Sequence, residues 1–77
     1  MRMLEKVVKI IADYQKIAPA TITPDSRLVA DLGLSSLDVV MLLCQFEDTF
    51  GIEIADEDLM SLTNIQSIVD YICKKSK

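Results

Sequence analysis

The chain has 77 residues, of which 51% are apolar, only 5% aromatic and 26% charged, with two Gly, two Pro and no His. That is enough for one small aliphatic core, and too little turn material for a multi-stranded β fold. A net charge of −4 removes the basic face a duplex nucleic-acid binder needs, and the lack of His excludes Ser-His-Asp and Cys-His catalysis and His-ligated metal sites.

Leu4, Val7, Val8, Ile11 and Tyr14 recur at helical spacing, with Glu5, Lys6, Lys9, Asp13 and Lys16 on the other face. The pattern predicts a first amphipathic helix over about 3–17, ending near Ala18-Pro19, because a residue before Pro avoids helical dihedrals. Residues 18–35 show no sustained period, and Pro19, Pro24 and Gly33 break any helix there. Leu28, Leu32 and Leu34 are expected to pin this long connection to the core, and connections of that length in small domains tend to be functional.

A second helix is predicted from Ser35-Ser36 to Phe50, opened by the capping-box pattern Ser35-x-x-Asp38 and closed by Gly51. Asp56–Met60 reads as a short third helix with acids at its positive end. Thr63-x-x-Gln66 reads as the capping box of a last helix, whose stripe is Ile65, Ile68, Val69 and Ile72. The expected fold is all-α: a small four-helix bundle of three main helices and one short helix, with a long first loop, forming one domain over residues 1–77.

Three features bear on location and surface. No apolar run approaches the ~18 residues of a membrane span, and the start, MRMLEKVVKI, does not read as a signal peptide, so the cytoplasm is the default. Cys44 and Cys73 form no CxxC; free, buried or partly buried thiols in a reducing compartment are expected. Charge is uneven: residues 28–73 hold nine acids and no Lys or Arg, between basic ends. A solvated surface and a docking surface for basic partners fit that stretch equally well.

The second helix carries apolar residues on two sides. Val39, Leu42, Leu43, Phe46 and Phe50 form a core face; Leu37, Val40, Met41 and Cys44 form a second stripe, continued by Glu47 and Asp48. So small a domain can hardly bury a helix on both sides, so the second stripe is expected to be part-exposed and open to partners unless the long loop covers it. If Ser35 is the cap, Ser36 is the first helical residue, with a free hydroxyl where N–H groups and the helix dipole favour a phosphate. Without a His to activate it, Ser36 reads as a site modified by another protein, not as a nucleophile.

Asp31-Leu32-Gly33-Leu34-Ser35-Ser36-Leu37-Asp38 resembles the signature of acyl carrier proteins. The likeness continues through Phe50-Gly51-Ile52-Glu53-Ile54, Asp56-Glu57, Thr63, Gln66 and Asp70-Tyr71-Ile72, and so spans essentially the whole chain. The resemblance implies 4′-phosphopantetheine on Ser36, installed from coenzyme A by a phosphopantetheinyl transferase, its thiol carrying acyl groups as thioesters. It implies a carrier, not an enzyme, in fatty acid, lipid or polyketide-type biosynthesis. It implies docking by acyl-transferring, condensing and modifying enzymes with basic faces at Leu37, Asp38, Val40, Met41, Cys44, Glu47, Asp48 and Asp56. It further implies that the acyl chain can retreat beside the second helix; nucleic acid and metal are not implied, and a monomer is the default. Ser35 stands where the family usually has Asp, Met41 where many fatty-acid carriers have Glu, and Cys44 where Met is common, which points to a dedicated carrier for a specialised pathway. The rival reading is a cofactor-free helical interaction module that uses the same second helix and leaves Ser36 bare.

Overall fold

The computed structural model describes residues 2–75. Three α-helices, α1 (Met3–Gln15), α2 (Ser36–Phe50) and α3 (Ile65–Lys75), are joined by two connections, each containing a 3-10 turn: Pro19–Thr21 in the first and Asp56–Ser61 in the second. The expected all-α arrangement of three main helices and one short one is present; the Pro19–Thr21 turn is additional. Pro19 was expected only to break helices, but Pro at a first helical position loses no hydrogen bond, so here it opens a turn.

α1 ends two residues before the expected position. Lys16 takes a left-handed conformation (φ 58°), and the Ile17 N–H returns to the Ala12 carbonyl at 3.0 Å. This closure satisfies the last carbonyls before Pro19 has any influence. α2 matches its expected bounds, with Ser35 as N-cap and left-handed Gly51 (φ 65°) as C-cap. At α3 the capping residue is Asn64, not Thr63. The Ser67 N–H donates to Asn64 Oδ1 at 2.8 Å, and the Asn64 N–H donates to Ser67 Oγ at 3.2 Å. Asn64-x-x-Ser67 therefore forms the reciprocal box, while the Gln66 N–H is taken by the Pro24 carbonyl at 2.9 Å.

The core joins Val7, Ile11 and Ala12 of α1 to Leu42, Leu43 and Phe46 of α2 and Ile65, Ile68, Val69 and Ile72 of α3. Ile22, Leu28, Leu34, Ile54 and Leu62 from the connections complete it, and Leu32 is half-buried against it, so the long first loop is pinned as its leucines suggested. α1 packs most closely on α3. The principal extents are 29 × 28 × 19 Å, and the shortest is about two helix diameters.

The first connection is tied at both ends of the site region. Gln15 Nε2 donates to the Leu32 carbonyl at 2.7 Å. The Leu28 N–H donates to the Thr63 carbonyl at 3.0 Å and the Ile65 N–H to the Ser26 carbonyl at 3.1 Å, flanking an isolated antiparallel bridge between Arg27 and Asn64. Loop, start of α2 and start of α3 thus meet at one end of the molecule.

Both cysteines are free, as expected, but they are exposed instead of buried. Cys44 lies on the α2 side that faces away from the core, and Cys73 sits in the last turns of α3 next to core residue Ile72 but pointing outward. Among the described residues no helix is long and apolar enough to cross a membrane.

Candidate functional site

The start of α2 is organised by one carboxylate. Asp38 Oδ2 accepts from the Ser35 N–H at 3.0 Å and from the Ser35 hydroxyl at 2.9 Å, while the Asp38 N–H donates to Ser35 Oγ at 3.2 Å. Asp38 Oδ1 accepts from the Tyr14 hydroxyl of α1 at 2.7 Å. The Tyr14 bond foremost, then the Ser35 N–H and hydroxyl, hold the Asp38 carboxyl below its ordinary value against the opposing effect of desolvation. The same hydrogen bond, aided by desolvation and by the carboxylate charge, raises the Tyr14 hydroxyl. Ser35 and Asp38 thereby satisfy the cap, and Ser36, exposed at the first helical position, is left out of it. Among the described residues its hydroxyl enters no side-chain hydrogen bond. It points from a helix N-terminus, where unpaired N–H groups and the dipole favour an anion.

Ser36 also lines a groove of about 730 Å³. Val39 and Val40 of α2 form one wall; Leu28, Val29 and Ala30 of the first connection and Leu59, Met60 and Leu62 of the second form the others. Arg27, Thr63 and Asn64 supply its polar groups besides Ser36. An open, mostly apolar channel with few polar groups suits a chain-like ligand attached at its rim.

The second stripe of α2 stands in solvent. Leu37 is 68% exposed, Met41 52% and Val40 42%, with Cys44 also exposed. The loop does not fold over it; of the stripe, Val40 lines the groove together with loop residues. Of the acids expected beside the stripe, Asp48 and Asp56 are exposed. Glu47 is half-buried, and its Oε2 accepts the Ile54 N–H at 2.8 Å, so it also closes the turn after α2. Asp38 is half-buried within the capping cluster just described.

Sequence reasoning did not identify Tyr14, Arg27, Thr63 or Asn64 as part of this region. Tyr14 carried a signal: a tyrosine on an otherwise apolar stripe must place its hydroxyl against a partner. Arg27 and Asn64 carried none, because only the folded loop brings them together across the isolated bridge.

Comparison with known proteins bears on the same residues. The family described as "Phosphopantetheine attachment site" matches residues 5–72. An acyl carrier protein of Syntrophus aciditrophicus (strain SB) is 39% identical over 72 residues, covering 94% of this chain and 90% of that relative. An acyl carrier protein of Solidesulfovibrio magneticus (strain RS-1) is 40% identical over 75 residues, covering 97% and 96% respectively.

Proposed function

The chain belongs to the acyl carrier protein family, and from that premise we propose that Ser36 is the residue that bears its phosphopantetheine arm. Members of this family are carriers and not enzymes, and their 4′-phosphopantetheine is attached covalently. The observation that carries the assignment is the exposed Ser36 hydroxyl, free of the cap and on the rim of an apolar groove. A phosphodiester there meets the positive end of α2. When attached, the arm supplies a terminal thiol on which acyl groups are held as thioesters, and the groove walls of Val39, Val40, Leu59 and Leu62 suit the acyl chain.

The exposed stripe of Leu37, Val40 and Met41, with Cys44 beside it, is the contact surface for a phosphopantetheinyl transferase and for acyl-transferring, condensing and modifying enzymes. Asp48 and Asp56 steer basic faces toward it, with Glu47 contributing the oxygen not held by Ile54. Asp38 acts chiefly by holding the start of α2 in place. The pathway is of the fatty acid, lipid or polyketide type, and the apolar Met41 and Cys44 on the docking face favour a specialised one. The carrier works as a single-domain monomer in the cytoplasm.

Incubation with coenzyme A and a promiscuous transferase tests the site. The intact mass is expected to rise by one phosphopantetheine, and Ser36→Ala to abolish the gain. Continued loading of Ser36→Ala, or a wild-type chain that no transferase loads, would overturn the assignment.

A further inference from the structure

The groove beside Ser36 contains one charged residue, Arg27. It is the last basic residue before a stretch of 46 positions, residues 28–73, whose charged residues are all acids. Among the described residues no carboxylate pairs with its guanidinium. Asp31, which is close by, accepts the Arg27 backbone N–H at 2.8 Å instead.

The local backbone explains why this cation joins the groove. Arg27 and Asn64 face each other across the isolated antiparallel bridge, and residues so opposed project from the same face at close spacing. Asn64 Oδ1 is already committed to the Ser67 N–H at 2.8 Å, which leaves the Asn64 amide as a donor. Arg27 and Asn64, with the Thr63 hydroxyl, therefore give the groove a donor-rich polar end, while its remaining walls are aliphatic.

We propose that this groove receives acyl chains that end in a free carboxylate, and that Arg27 is the residue that selects them. The proposal rests on Ser36 bearing the arm. A chain ending in methyl leaves the exposed guanidinium to water and gains nothing from it. A carboxylate gives it paired, charge-assisted hydrogen bonds in the fork geometry that arginine presents. The aliphatic walls then contact the methylene portion of the same chain. The phosphodiester of the arm is the competing anion, but it is held at the N-terminus of α2, which offers its own N–H donors.

The test uses the holo chain loaded with two acyl groups of equal length, one ending in methyl and one in carboxylate. Intact mass first establishes loading at Ser36. Absence of loading would overturn the Ser36 assignment and this proposal together, whereas successful loading isolates the present question. Protection of the thioester is then read as its rate of cleavage by hydroxylamine. The carboxylate-ended thioester is expected to be cleaved about two- to fivefold more slowly than the methyl-ended one, the effect of one ion pair to an exposed arginine. Arg27→Gln should erase the difference and Arg27→Lys should retain part of it; Arg27 is exposed, so both variants keep the core. Equal or better protection of the methyl-ended chain would overturn the proposal. So would an Arg27→Gln variant that moves the phosphorus resonance of the arm while leaving the carboxylate preference intact, since the cation would then serve the phosphodiester.

Discussion

The first and last helices, α1 and α3, and the second helix, α2, spend their apolar residues differently. α1 and α3 each bury one stripe, centred on Val7 and Ile11 and on Ile65, Ile68 and Ile72, and leave the other side to Lys6, Lys9, Asp13, Gln66 and Asp70. α2 buries Leu42, Leu43 and Phe46 on one side and leaves Leu37, Val40 and Met41 in water on the other. The buried stripes of all three helices account for folding. The excess on α2 stays largely in water and so adds little to stability, and it lies beside Ser36 and the groove. A small domain with one core can thus separate residues that hold it together from residues available to a partner on opposite sides of a single helix.

Paired truncations on α2 test that separation most strongly. Phe46 is fully buried, and Phe46→Ala is expected to cost about 3–5 kcal/mol, a large part of the stability of so small a domain. Leu37→Ala and Met41→Ala remove similar chemistry from the exposed side and should each cost less than about 0.5 kcal/mol. Urea unfolding followed by helical circular dichroism measures both. If Met41→Ala proved as costly as Phe46→Ala, the two sides of α2 would not be distinct. The surface variants should instead slow loading and acyl transfer by partner enzymes.

The next effect is at the end of α2 where the two roles meet. Ser35→Ala removes the cap oxygen from the Asp38 N–H and is expected to cost about 1 kcal/mol. The same change should slow loading of Ser36, because the loss falls on the turn that carries the attachment residue. A stability loss with loading unchanged would mean that the geometry of the cap does not matter to the transferase.

Most of this arrangement is legible from local pattern. Helical spacing marks the stripes of α1 and α3; Ser35-x-x-Asp38 and Gly51 mark both ends of α2; and an aliphatic excess on two sides of α2 marks an uncovered face. What escapes is set by contacts between distant segments. Thr63-x-x-Gln66 has the side chains for a capping box, yet Gln66 gives its N–H to Pro24, and Asn64 with Ser67 forms the box instead. The exposure of Cys44 and Cys73 is a different case: helix phase alone turns both outward, and the second stripe of α2 already included Cys44. Glu47 reads as a surface acid until the turn after α2 brings the Ile54 N–H to it. The polar end of the groove needs a pairing of Arg27 with Asn64 that no local period announces.

Charge on the outer side of α2 offers a smaller and condition-dependent test. Asp48→Lys combined with Asp56→Lys reverses two exposed acids without disturbing the Glu47 contact to Ile54. Loading by a transferase is expected to slow several-fold at low salt, and the difference should shrink as ionic strength rises and screening shortens the reach of the field. Unchanged rates at low salt would leave docking to the apolar stripe alone.

The smallest expected effect concerns the tether between a one-sided helix and the two-sided one. The Tyr14 hydroxyl is the foremost cause of the lowered Asp38 carboxyl, followed by the Ser35 N–H and hydroxyl, with desolvation opposing them. A carboxyl depressed in the folded state stabilises fully above its unfolded value, ordinarily 3.8, and that contribution is lost as pH falls through the lower folded value. Tyr14 runs the other way: its hydroxyl is raised from 10.0, so its contribution is present below that value and is lost as pH rises through the folded one. The tether should therefore be complete at neutral pH and fail toward both extremes. In Tyr14→Phe the Asp38 titration, followed by NMR of its carboxyl carbon, should move up toward 3.8 but stay below it, because both Ser35 bonds remain. A midpoint that does not move would mean the hydroxyl makes no bond to Asp38 in solution. A midpoint that reaches 3.8 would mean the Ser35 bonds depend on Tyr14, so that α1 would set the cap of α2 and not merely touch it.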